Sequence, residues 1–228
     1  MSLITEAKGF RPFYEDSGRL LMNNLAYNSQ DAASVGPRVE EKVREELGAS
    51  APLSYQVETG EAATATIGSV LGDIGSALMG GAESMLFRLN FDLPQPRPAN
   101  LHVNVNRQGI GSYVGMLVYS AQLSKPITGE VMLEEPKFFG KSKFTGDAAS
   151  AKLNANGDLI KRANTFARTE SQSGGLTLKI KRSFRLVPHE SGSLLIIGTL
   201  PRPTKMGLSA TVDAKDFFDI ADMIEKAL

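Results

Sequence analysis

At 228 residues, with 42% apolar and 22% charged side chains, the chain has the length and composition of a globular protein that buries its own core, which excludes wholesale disorder. It contains no cysteine, which removes disulfides, thiolate metal sites and cysteine nucleophiles together, and it contains no tryptophan. A formal net charge of +0 argues against strong nonspecific binding to nucleic acid.

The opening residues, MSLITEAKGFRPFYED, show no basic head followed by an apolar run, so no secretory leader is legible and the cytoplasm is the expected location. Asp16 or Ser17 can cap a short helix carrying Leu20, Leu21 and Leu25. A second helix is expected from Pro37, with Val39, Val43 and Leu47 recurring every four residues, Glu40 placed to pair with Arg44, and Gly48 where a left-handed cap is wanted. Its narrow apolar stripe suits a helix packed on the edge of something larger. Ala49–Pro52 reads as a connector, and Leu53–Val57 as a short strand.

Residues 62–85 are rich in glycine and alanine. Ile67, Val70, Leu71, Ile74 and Leu78 have helical spacing, and Gly68, Gly72, Ser76 and Gly80 form a row of small residues four apart. Five glycines in such a helix cost about 4–5 kcal/mol relative to alanine, so close packing, self-association or a lipid surface has to offset them, unless Gly80 and Gly81 break the segment into two short helices or part of it is loop. Gly68, Gly72, Ser76 and Gly80 are therefore the candidate helix-packing or self-association face, and a homo-oligomer is one expected partner state. A transmembrane span is not expected: Asp73 alone costs about 2.5–3.5 kcal/mol on insertion, and leucine and isoleucine are too few to outweigh it.

From Leu86 the pattern turns to β. Leu86–Leu93 alternates until the prolines of 94–98 stop it; Leu101, Val103 and Val105 alternate with His102, Asn104 and Asn106; Tyr113–Leu123 and Ile127–Leu133 follow. The spacing predicts consecutive antiparallel neighbours. Gly109, Gly111 and Gly115 superficially match a dinucleotide loop, but strand residues stand where a helix must begin, so the stretch reads as a hairpin turn. Ala148–Leu153 and a helix capped by Asp158, bearing Leu159, Ala163 and Phe166, make a helical insert, and Ser171–Gly175 reads as a flexible joint.

The run Leu176–Leu200 carries the clearest sheet pattern. Leu176, Leu178, Ile180, Phe184 and Leu186 lie on even positions and Lys179, Lys181 and Arg185 on odd ones, which predicts one long strand with an apolar and a basic face. A turn at Pro188–Ser193 leads into Leu194–Ile197, apolar on both faces as a doubly covered strand would be. The chain closes with a helix capped at Asp213, its apolar face formed by Phe217, Ile220, Ala221, Ile224 and Leu228.

The fold class read from this order is α+β: a mainly antiparallel sheet packed by a C-terminal amphipathic helix, with residues 1–85 a helical N-terminal region and 86–228 the sheet domain. Charge is unevenly spread, since residues 136–205 hold thirteen basic and four acidic side chains while both flanks are acidic. Lys137, Lys141, Lys143, Lys179, Lys181 and Arg185 are the candidate surface for an anionic partner, a lipid headgroup or nucleic acid. The competing reading folds the acidic C-terminal helix back over the basic strands. The two histidines, His102 and His189, belong to no catalytic or metal-ligand pattern, and neither a metal nor a cofactor is expected. These features point to a non-enzymatic binding or scaffold protein that self-associates or holds a partner through the Gly-rich helical segment and presents a basic sheet face. A carrier of a hydrophobic small molecule or lipid, in a cavity between sheet and helices, and an enzyme with an unrecognised site are the alternatives.

Overall fold

A computed structural model describes residues 26–27, 32–59, 84–93, 96–108, 111–134, 141–167, 170–173, 176–179, 184–199, 202–203, 210–211 and 213–228. The expected short helix near Asp16 and the small-residue row at Gly68, Gly72, Ser76 and Gly80 lie outside the described residues. The first elements are β1 (Ala26–Tyr27), α1 (Ala32–Leu47), β2 (Tyr55–Thr59), β3 (Ser84–Leu93), β4 (Ala99–Gln108) and β5 (Gly111–Leu123). Then come β6 (Val131–Glu134), β7 (Lys143–Gly146), α2 (Ala149–Asn154), α3 (Gly157–Phe166), β8 (Glu170–Ser173) and β9 (Leu176–Lys179). The last are β10 (Phe184–His189), β11 (Gly192–Thr199), β12 (Arg202–Pro203), β13 (Ala210–Thr211) and α4 (Ala214–Ala227).

The fold is α+β. Eight antiparallel strands run in the order β2-β3-β4-β5-β11-β10-β6-β7, and β1 pairs with β5 at Tyr113 and Ser112, beyond the stretch of β5 that β11 occupies. Strand alternation sorts the side chains into two layers. Phe87, Leu89, Phe91, Leu101, Val103, Leu117, Tyr119, Phe184, Leu186, Leu195 and Ile197 face the helices and form one continuous core with Phe166, Phe217, Ile220 and Ile224. Tyr119 of β5 stacks on Phe217 of α4, with centroids 4.9 Å apart, and lies 5.7 Å from Phe166 of α3. Three rings from three elements thus fix where both helices sit, and each such contact contributes about 0.5–1.5 kcal/mol beyond area burial.

The other layer belongs to Arg88, Asn90, Asp92, Asn100, His102, Val118, Ser120, Leu194 and Ile196. Arg88, Asn100, His102, Val118, Ser120, Leu194 and Ile196 are all buried, so the sheet is buried on both faces over β3, β4, β5 and β11. Every residue of β11 is buried, as the doubly apolar Leu194–Ile197 predicts. Over β6 and β7 the same layer opens, with Met132 37% exposed.

Several elements differ from expectation for identifiable reasons. Ile127–Leu133 is not the neighbour of β5: the β10–β11 hairpin inserts between them, because its both-sided apolar strand gains most from a central place. The long strand through Leu186 is two strands in two sheets, since β9 pairs with β8 while β10 joins the main sheet. The flexible joint is replaced at Glu170–Ser173 by β8. Helix α1 begins five residues before Pro37, which sits inside it. Asn156, not Asp158, caps α3, its side chain accepting the Leu159 N–H at 3.1 Å.

Asp213 does hold the N-cap position of α4 but makes no side-chain cap, because its backbone is left-handed (φ 55°). The Ala214 N–H donates instead to Glu46 of α1 at 2.7 Å. The acidic helix α4 also does not lie on the basic side of β10: Phe184 and Leu186 share its core, which puts Arg185 on the opposite face. Its acids meet other cations. Arg97 pairs with Asp222 and, at 2.5 Å, with Glu225, and Arg162 pairs with Asp219 at 3.1 Å.

Candidate functional site

Helices α3 and α4 lie side by side on the sheet, each with its apolar stripe turned inward, so their charged faces meet along a groove. The groove encloses about 430 Å³ and is lined by Asp158, Lys161, Arg162, Thr165 and Phe166 of α3 and by Asp216 and Ile220 of α4. Phe166 and Ile220 are core residues, each only 1% exposed, that close its bottom, so the accessible surface of the groove belongs to the charged and polar side chains. Asp158, Lys161, Arg162 and Thr165 recur at three- and four-residue steps, which places them on one exposed helical face. The Arg162–Asp219 pair ties the two walls together, and the Thr165 hydroxyl donates to the Lys161 carbonyl at 2.9 Å. The concavity is therefore half open, with charged groups of both signs at its rim.

Ser142 links the groove wall to the sheet edge: its hydroxyl donates to Asn164 Oδ1 at 3.2 Å. That contact carries Lys141 and Lys143, both exposed, to the outer side of α3. Of the other candidate cations, Arg185 is half-buried two strands away from β7 and pairs with Glu130 at 3.4 Å. Lys179 lies in the separate β8–β9 ladder. Lys137 and Lys181 are outside the described residues. The structure therefore brings Lys141 and Lys143 together and does not join them to Lys179 or Arg185 as one face.

Two further polar clusters involve the histidines. On the second sheet face, Glu58 accepts from Asn90 at 2.6 Å and pairs with Arg88 at 3.3 Å, and Asp92 accepts from Asn100 at 2.7 Å. His102 lies directly across from Asn90. Burial first, and the Arg88 charge second, hold His102 down at about 3 from an ordinary 6.5. A neutral imidazole tolerates that guanidinium, and so acidic a group is too weak a base for proton abstraction near neutral pH. At the β10–β11 turn, His189 Nδ1 is 3.0 Å from Ser191 Oγ, which also receives the Gln122 amide. A hydroxyl two residues away along an exposed turn is a local turn contact; a charge-relay serine needs a carboxylate on the far ring nitrogen and oxyanion donors as well.

Among the described residues no group of three or more metal-ligating side chains is close enough to hold an ion, and no helix is long and apolar enough to cross a membrane. No protein-family model, curated protein or solved structure matches the chain.

The groove has no signature in the sequence. Lys161, Arg162 and the α4 acids are visible as outward-facing charges, but nothing in the linear order says that these two charged faces adjoin.

Proposed function

We propose that the protein is a non-enzymatic binding protein that holds a short peptide, or a small molecule of like chemistry, in the groove between α3 and α4. One observation carries this reading: a single groove sets the carboxylates of Asp158 and Asp216 beside the cations Lys161 and Arg162. A small ligand carrying both charges matches that lining, since each charged end finds an opposite rim group. A purely anionic partner matches it less well, because Asp158 and Asp216 stand beside Lys161 and Arg162. A carrier of an apolar molecule between sheet and helices has less support, because Tyr119, Phe166 and Phe217 already pack there ring against ring.

The test uses leucyl-leucine with free termini as the probe and thermal unfolding as the readout. At about tenfold excess over its Kd, a bound ligand adds about 1.4 kcal/mol, a rise of about 3–6 °C for a chain of this length. Thr165→Trp fills the groove from an exposed position and abolishes the rise while leaving the fold intact by circular dichroism. No rise in the wild type at millimolar probe, or an equal rise in Thr165→Trp, overturns the proposal.

A further inference from the structure

The sheet has two edges, and they are finished differently. At β7 the outer backbone is occupied: Asn154 of α2 accepts the Phe144 N–H at 2.8 Å and donates to the Phe144 carbonyl at 2.7 Å. Its amide thus stands in for one peptide of a further strand. Exposed Lys141 and Lys143 flank the same edge, and charged lysines are a common guard against edge pairing.

At β2 neither device is present among the described residues. The Asp92 N–H donates to the Ser54 carbonyl at 3.2 Å, which sets the phase of the β2–β3 ladder. With Ser54 opposite Asp92, Gln56 and Glu58 turn their amides toward β3, and Tyr55, Val57 and Thr59 turn theirs outward. Val57 is 43% exposed. The strand holds one charge, Glu58, and that carboxylate is engaged by Arg88 and Asn90 of its own sheet.

From this asymmetry, and independently of the groove, we infer that the β2 edge pairs antiparallel with the β2 edge of a second copy of the chain, about a two-fold axis at Val57. The register is self-complementary. Val57 faces Val57 of the second copy and the two exchange both backbone hydrogen bonds through the amides that point outward. Gln56 lies opposite Glu58 of the second copy, an amide against a carboxylate, and Tyr55 lies opposite Thr59. No like charges meet. A C2 contact of this kind closes on itself and joins the two sheets edge to edge.

The native chain has no cysteine, so Val57→Cys creates its sole thiol. A hydrogen-bonded antiparallel pair holds its Cα atoms about 5.5 Å apart with the two side chains on one face, within the span of a short bis-maleimide. Treating full-length Val57→Cys with that reagent therefore gives a covalent dimer, and Met132→Cys, similarly exposed but in an inner strand, does not. Sedimentation equilibrium of the wild type shows a dimer. Val57→Lys sets two like charges opposite each other and weakens that dimer by about tenfold or more, with unchanged circular dichroism. A monomeric wild type at the highest soluble concentration overturns the inference. So does a dimer that Val57→Lys leaves intact, or cross-linking of Val57→Cys no faster than Met132→Cys.

Discussion

The sharpest stability prediction concerns His102, which is 3% exposed in the centre of the sheet and held at about 3 by burial and by Arg88. In the unfolded chain the same imidazole takes up a proton near its ordinary value of 6.5. Because the folded value lies below the unfolded one, stability is fully present above pH 6.5 and falls as pH drops toward 3. The slope approaches about 1.4 kcal/mol per pH unit, so lowering the pH from 7 to 5 costs about 2 kcal/mol, or roughly 4–8 °C of melting temperature. Carboxylates with lowered values add their own loss at more acidic pH: Asp147, held down by the Thr128 hydroxyl and backbone N–H groups, and Glu225, where partial burial is the largest single effect and works upward but hydrogen bonds from Ser124 and Arg97 and the Arg97 charge together outweigh it. Those losses fall mostly below pH 5, and within the window from pH 7 to 5 the difference between the wild type and a His102 variant isolates the His102 share. The assay is urea or thermal unfolding at both pH values for the wild type and His102→Gln. The variant starts from lower stability but loses about 2 kcal/mol less across the window. Equal losses in the two proteins would refute a buried neutral histidine.

Other outcomes follow from named contacts. The Tyr119 hydroxyl is raised well above its ordinary value, chiefly by burial and then by the Glu46 and Asp213 charges. The unfolded chain releases that proton near pH 10 and the folded one retains it, so stability falls above pH 10; Tyr119→Phe keeps the ring stack and flattens the alkaline limb of the melting curve. Glu46→Ala removes the cap on the Ala214 N–H and lowers stability by about 1 kcal/mol in urea unfolding. Arg97→Ala breaks both pairs to α4 at a partly exposed site and costs about 1–2 kcal/mol, with faster amide exchange in the last turns of the helix. Phe217→Ala empties the centre of the three-ring cluster and costs about 3–5 kcal/mol in the same unfolding assay.

Periodicity made much of this fold legible. The alternation of Leu101, Val103 and Val105 marks the layer facing the helices, the both-sided run at Leu194–Ile197 marks the centre, and the stripe from Phe217 to Ile224 marks the covering helix. What stayed hidden is long-range. Strand order depends on which strand gains most from a central position, and that choice separates β6 from β5. The capping of α4 by Glu46 joins residues 168 apart in the chain, with no local signature. Charge bookkeeping also misplaced the partners: α4 meets Arg97 and Arg162, while Arg185 turns to Glu130 on the other face. The groove was illegible for the same reason, since each of its walls alone looks like an ordinary solvated helical face. Lys141 and Lys143 were legible as a basic pair, but their place beside an edge closed by Asn154 needs the fold.

The measurement that bears most directly on the central claim is a two-dimensional 1H–15N NMR titration of the full chain with leucyl-leucine. Binding in the groove predicts saturable shifts concentrated at Asp158–Phe166 and Asp216–Ile220 and absent from Thr165→Trp. An unchanged spectrum at millimolar probe, or shifts centred elsewhere on the sheet, would contradict it.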